Sequence, residues 1–307
     1  MDDAERKQHL AMLKETPKRL KEALKGVPKK LAAWTPAPGK WSILEIVCHL
    51  RDMEREAYLE RYRRILAEDN PSLPDVDGDL YALEKDYRSQ KLTAALREWL
   101  ALRRETLKLL SGVKSAQWQR VGTHETAGPL GVLGFLQRQA VGNDQAHLGQ
   151  IEAIKRRHAI FERLEAAPAR LSAVLKGASD EALRRPRAPG KWSAIETLCH
   201  LRDTERIYTD RITKTAFSER PQYWMMDNDK VAQLLKYREA DASAVLKEFR
   251  TRRAETIGLL RSLPHPVWQR IGIHPKRGEL TIEAIAGLIA DHDDSHLEQI
   301  RAALGTS

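Results

Sequence analysis

Apolar residues recur at steps of three and four along most of this chain. In "AIAGLIADHDDSHLEQIRAAL" (Ala284–Leu304), Ile285, Leu288, His292, His296, Ile300 and Ala303 fall on one helical face. Leu133, Leu136, Ala140, Asn143, His147, Ile151 and Ile154 form a matching earlier stripe. Strand-like alternation is missing. The pattern predicts helices over about 5–26, 42–68, 80–111 and 131–155, then 159–177, 193–218, 226–262 and 281–304. Four long helices with short connections, met twice, predict an all-α chain of two four-helix bundles.

The two sets are copies. "PGKWSILEIVCHLRDMER" (Pro38–Arg55) and "PGKWSAIETLCHLRDTER" (Pro189–Arg206) agree at thirteen of eighteen positions, 151 residues apart. "WQRVGTH" (Trp118–His124) answers "WQRIGIH" (Trp268–His274), and "AHLGQI" (Ala146–Ile151) answers "SHLEQI" (Ser295–Ile300). The offset drifts from 151 to 149, so whole domains are duplicated. The expected domains are 1–156 and 157–307, joined near Ile154–Phe161.

Ser42 and Ser193 stand three residues before Glu45 and Glu196, the spacing of a capping box, and Pro-Gly supplies the turn before it. Trp41, just ahead of the cap, can staple onto Ile46. Helix initiation therefore explains most of the repeated string, but not His49 and His200, two turns further on. His292 and His296 are four apart, so their side chains are neighbours and could hold one metal ion. An antiparallel helix could bring His200 to the same point. Three imidazoles with open positions form a catalytic type of metal site; satisfied core histidines are the alternative. In the first half Asn143 occupies the position of His292, beside His49 and His147. An amide is a poor ligand for zinc or nickel, so that site reads as weakened or lost. Asp144 and Asp293 are turned away from it by about 100°. His124 and His274 could line the mouth of a site or make a loop hydrogen bond. Asp203 could orient an imidazole or lie at the surface. Cys48 and Cys199 read as buried structural thiols, and Trp118 and Trp268 as core anchors.

Composition narrows the setting. The chain has 307 residues, two cysteines and no apolar run of about 18 residues, so neither a membrane span nor a disulfide framework is expected. The charged start "MDDAERKQHL" lacks a signal-like apolar region, which predicts a cytoplasmic protein. The formal charge of +9 comes from 52 basic residues mixed with 43 acidic ones. That mixture leaves only weak nucleic-acid association as a possible reading. Gly-rich phosphate loops and a Ser/His/Asp pattern are absent from the sequence.

The order "GKWS…HL.D.E", "R.G.H…G.LT", "HD..HL.QI" resembles the DinB-like superfamily, which includes YfiT-type metal-dependent hydrolases. The similarity covers nearly the whole chain, once per half, and is fullest in the second. It implies four-helix bundles that commonly pair as homodimers, here packed as an internal pseudo-dimer that leaves the chain monomeric. It also implies a divalent transition metal, nickel or zinc, on His200, His292 and His296. His49, Asn143 and His147 are the degenerate counterpart, and His274 is a candidate at the site mouth. The implied activity is metal-dependent hydrolysis of a small molecule, or transfer involving a low-molecular-weight thiol. A non-catalytic scaffold with a vestigial metal site remains the rival reading.

Overall fold

A computed structural model describes residues 3–305. Each half has four principal helices. In the first half these are Asp3–Leu24, a helix over 43–67, Leu92–Ser111, and a helix that begins at Val132. In the second they are the later part of Ala146–Leu175, then Ala194–Phe217, Ala242–Ser262 and Ile282–Leu304. The chain divides into two compact units: residues up to Thr35 with Trp41–Arg156, and Pro36–Lys40 with residues from Arg157 onward. The fold is two tandem four-helix bundles.

The drift of the repeat has a structural cause. Between His49 and Tyr87 the first half holds one residue more than the second, and the helix absorbs it as a π turn at Met53–Leu59. Between His124 and His147 it holds one more again, and a second π turn lies at Arg138–Gln145. A π turn carries one extra residue without breaking the helix. In the second half the corresponding stretches are regular α-helix.

Three expectations are corrected. The stretches 80–111 and 226–262 are each broken: Asp86 and Lys236 take left-handed backbone (φ 42° and 49°), so Gly78–Glu84 and Asn228–Leu234 stand apart from the long helices. The separate stretches 131–155 and 159–177 are continuous, because nothing within "IKRRHAIF" interrupts the helix Ala146–Leu175. Short strands do exist: Val121–His124 pairs antiparallel with Gly128–Gly131, and Ile271–His274 with Gly278–Thr281. At four residues each they are too short for alternation to register.

Leu20, Val47, Leu50, Trp99 and Ile151 belong to a buried apolar cluster in the first half; Leu171, Leu198, Phe249, Leu297 and Ile300 do so in the second. Each core also encloses a guanidinium that bridges its helices. Arg253 donates to Glu205 on the second helix (2.7 and 2.9 Å), to Asp293 on the fourth (2.5 and 3.0 Å) and to the Leu164 carbonyl on the first (3.2 Å). Its own position on the third helix makes it a contact of all four. Arg103 does the same with Glu54, Asp144 and the Leu13 carbonyl. A buried cation is tolerable only when its donors are satisfied; here they set the spacing of the helices that carry the histidines.

Candidate metal centre

Ser193 caps the helix Ala194–Phe217. Its backbone N–H donates to Glu196 (2.9 Å), while the serine hydroxyl accepts from the Glu196 N–H (3.5 Å). His200 follows two turns later and is 4% exposed. His292 and His296 reach it from the antiparallel helix Ile282–Leu304. The Nε2 of His292 lies 3.1 Å from the Nε2 of His200 and 3.1 Å from that of His296. Among the described residues this is the one group of three or more His, Cys, Asp or Glu whose ligand atoms all lie within 4.8 Å of one another.

Burial keeps these rings uncharged. It pushes His200 down to about 4 and His292 to about 2, with the neighbouring imidazoles adding to both shifts, and it lowers His296 as well. The His296 Nδ1 lies 2.8 Å from the Gln299 side-chain oxygen, which can only accept, so the ring proton sits on Nδ1. Its Nε2 lone pair therefore faces the cluster. Three neutral rings aim nitrogens at one point, and zinc–imidazole bonds of about 2.0–2.1 Å require nitrogens roughly 3–3.4 Å apart. The donor set and spacing fit a divalent ion. Trp192 walls the cluster, its ring centroid 5.0 Å from that of His200.

In the first half His49 and His147 keep nearly the same relation as His200 and His296, with centroids 4.8 Å apart against 4.7 Å. Burial lowers His49 to about 3. Asn143 stands in the third position, within the π turn, and donates to Asp144 (3.4 Å). Trp41, expected to staple onto Ile46, joins the same apolar cluster and lays its indole 4.6 Å from His49.

The remaining candidates separate clearly. Cys199 is fully buried, its thiol pushed up to about 12 by desolvation. Asp144 and Asp293 turn into the arginine hubs. Asp203 accepts from Tyr237 (2.7 Å), Arg202 (2.7 Å) and Arg252 (3.0 Å), so it neither orients a cluster imidazole nor lies free at the surface. Trp118 and Trp268 are buried.

The "R.G.H" motif proves to be a device for placing the hairpin. Arg270 donates to the Thr215 and Ser218 carbonyls at the end of the second helix (both 2.9 Å). A Cβ at Gly272 would run into the Tyr223 hydroxyl. The Nδ1 of His274 accepts from the backbone N–H groups of Lys276 (3.1 Å) and Arg277 (3.2 Å), which leaves its proton on Nε2. His274 thus makes the loop hydrogen bonds and also lines a cavity of about 250 Å³ beside His292.

Sequence reasoning missed Tyr208 and Arg211 in that cavity. The signal was present, since Tyr58 and Arg61 repeat the spacing, but the first π turn shifts their offset to 150. It also missed Arg253, a charge on the apolar stripe Phe249, Thr256, Leu260 that recurs as Arg103.

Comparison with known proteins identifies the family of the chain. The profile of the DinB superfamily matches residues 12–151 and again 163–300. A "Putative metal-dependent hydrolase" of Geobacillus thermodenitrificans (strain NG80-2) is 26% identical over 151 residues, 49% of this chain and 84% of that protein. The "Putative metal-dependent hydrolase YfiT" of Bacillus subtilis (strain 168) is 27% identical over 138 residues, 45% of this chain and 78% of that protein. The solved structure of Bacillus subtilis YfiT, with "an unusual four-helix bundle topology", is 21% identical with a TM-score of 0.48, covering 52% of this chain and 90% of that one. With the profile matched twice over most of its length, the chain belongs to the DinB superfamily, as a tandem duplication.

Proposed function

We propose that the second half is a metal-dependent hydrolase of a small molecule, with His200, His292 and His296 as ligands of one nickel- or zinc-type ion. The observation that carries this is the convergence of three uncharged Nε2 atoms at 3.1 Å steps. Three neutral ligands leave a divalent ion its full charge, and such an ion supplies Lewis acidity toward water or a carbonyl oxygen. The chain's own groups do the rest. Gln299 holds the His296 tautomer, Trp192 shields the cluster, and Tyr208 stands against His292 with ring centroids 5.6 Å apart. The names of the two curated relatives support the hydrolase class. The buried thiols suit a reducing cytoplasm.

The test is metal analysis joined to turnover. Purified protein should hold about one divalent ion per chain, and His200→Ala should lose it. A panel of esters and amides, each with and without small thiols, is then run on metal-loaded and chelated protein. Hydrolysis that chelation abolishes supports the reading. Turnover that needs a thiol would make the protein a thiol transferase. Rates indifferent to demonstrated metal removal would leave the site vestigial and the protein a scaffold.

A further inference from the structure

The cavity beside His292 is cationic, with the Arg211 guanidinium over the rings of Tyr208 (5.7 Å) and Tyr223 (5.3 Å). Arg211, His274 and Arg277 line it together with Tyr208, against an apolar side formed by Leu280 and Ile285. Arg211 uses one N–H on the Trp224 carbonyl (3.1 Å), but its buried Nε–H has no partner. Among the described residues neither Arg211 nor Arg277 is in an ion pair, whereas Asp291, the one carboxylate on the wall, is held by Arg163 at 2.7 Å. The His274 Nε2–H adds a neutral donor.

The first half shows what such a cluster accepts. Tyr58, Arg61 and His124 stand at the same repeat positions. There the Asp75 carboxylate lies 3.7 Å from the His124 Nε2 and 3.8 Å from Arg61. Phe135, at the position of Ile285, lays its ring 5.4 Å from the Arg61 guanidinium, and Ala127 stands where the second half has Arg277. The first half therefore supplies its own anion and fills the space with an aromatic ring. At the position of Asp75 the second half has Met225, which is 45% exposed. The half that keeps the third histidine is thus the half in which, among the described residues, no carboxylate pairs with the cation cluster.

We propose that this pocket binds the carboxylate of a small anionic substrate through Arg211, His274 and Arg277, beside the point where the three histidines converge. The cavity's 250 Å³ equals about eight waters at about 30 Å³ each, room for a short acyl chain against Leu280 and Ile285. As a statement about substrate, the assignment rests on the metal-dependent hydrolase reading; as a binding site, it does not require the metal.

Butyrate, butyramide and inorganic phosphate are titrated calorimetrically into the full chain, metal-loaded and chelated. Butyrate should bind both forms, and butyramide at least tenfold more weakly. Arg211→Met should weaken butyrate at least tenfold, about 1.4 kcal/mol, and Arg277→Met several-fold. Met225→Asp, a change at an exposed position, should abolish binding by restoring the internal carboxylate of the first half; it also keeps the test decisive if Arg211→Met fails to fold. Butyrate binding that ignores all three substitutions, or is matched by butyramide, overturns the proposal. Phosphate bound more tightly than butyrate overturns the choice of carboxylate. Butyrate binding intact in a protein that takes up no metal would sink the metal-enzyme reading alone. Metal uptake with no dependence of butyrate binding on Arg211 would sink this proposal alone.

Discussion

One side chain separates the two histidine clusters. His49 and His147 sit as His200 and His296 do, and Asn143 replaces the imidazole that would close the set. Asn143→His should therefore raise the metal content from about one toward two ions per chain, and His147→Ala should reverse the gain. Elemental analysis checks this; a ratio that stays at one would show that the π turn has rotated the position out of reach. The second prediction concerns pH. Folded His200 and His292 take up protons only near 4 and 2, while an unfolded histidine does so near 6.5. Below about pH 6.5 the unfolded chain binds more protons, so the metal-free protein should lose stability as pH falls from 6.5 toward 4. Denaturant midpoints across that range test the sign, and His200→Gln should flatten the slope. The histidine spacing was legible in the sequence because i, i+4 neighbours follow from helical geometry alone. The cation cluster was not, because Tyr208–Arg211, His274 and Arg277 come from separate elements whose meeting no local rule predicts.

Among the elements, the fourth helix of each half is tied to its neighbours by a buried arginine. Arg253 ties it to the other three, and the desolvated guanidinium is held charged by Glu205 and Asp293. Arg253→Met would leave two buried carboxylates without their cation. The cost should be about 3–5 kcal/mol, read as a lower denaturant midpoint, with weaker metal binding because Glu205 and Asp293 flank His200 and His292. An equally stable variant with unchanged metal affinity would show that the hub does not position the cluster. The capping boxes were readable in advance, since Ser and Glu three apart satisfy each other's backbone donors within one turn. The hairpins were not, because four-residue strands carry too little alternation. The breaks at Asp86 and Lys236 also escaped notice, because left-handed backbone at a non-glycine residue leaves no compositional mark.

Across the whole molecule the duplication changes what assembly requires. Two DinB-type units already lie in one chain, so the protein should run as a monomer of 34.9 kDa. Light scattering over a hundredfold dilution checks this, and a stable dimer would overturn it. The same duplication makes the first half an internal control. It carries the arginine hub and the capped histidine helix, but not the third imidazole or Arg277. A difference in metal binding between the halves can therefore be assigned to Asn143, and a difference in anion binding to Asp75, Ala127 and Phe135.

By itself the sequence determined the helical character, the repeat, the capped entry to each histidine helix and the i, i+4 pairing of His292 with His296. All of these rest on periodicity or on contacts within a turn or two of chain, where backbone geometry fixes which side chains meet. Tertiary structure decided the rest. It turned a drifting offset into two π turns, spent Asp293 and Asp203 on arginines, and used "R.G.H" to seat a hairpin. It also opened a cationic cavity where the other half holds Asp75 and Phe135. Those outcomes depend on which distant residues compete for one buried charge or one space, and that competition is settled only when the helices pack.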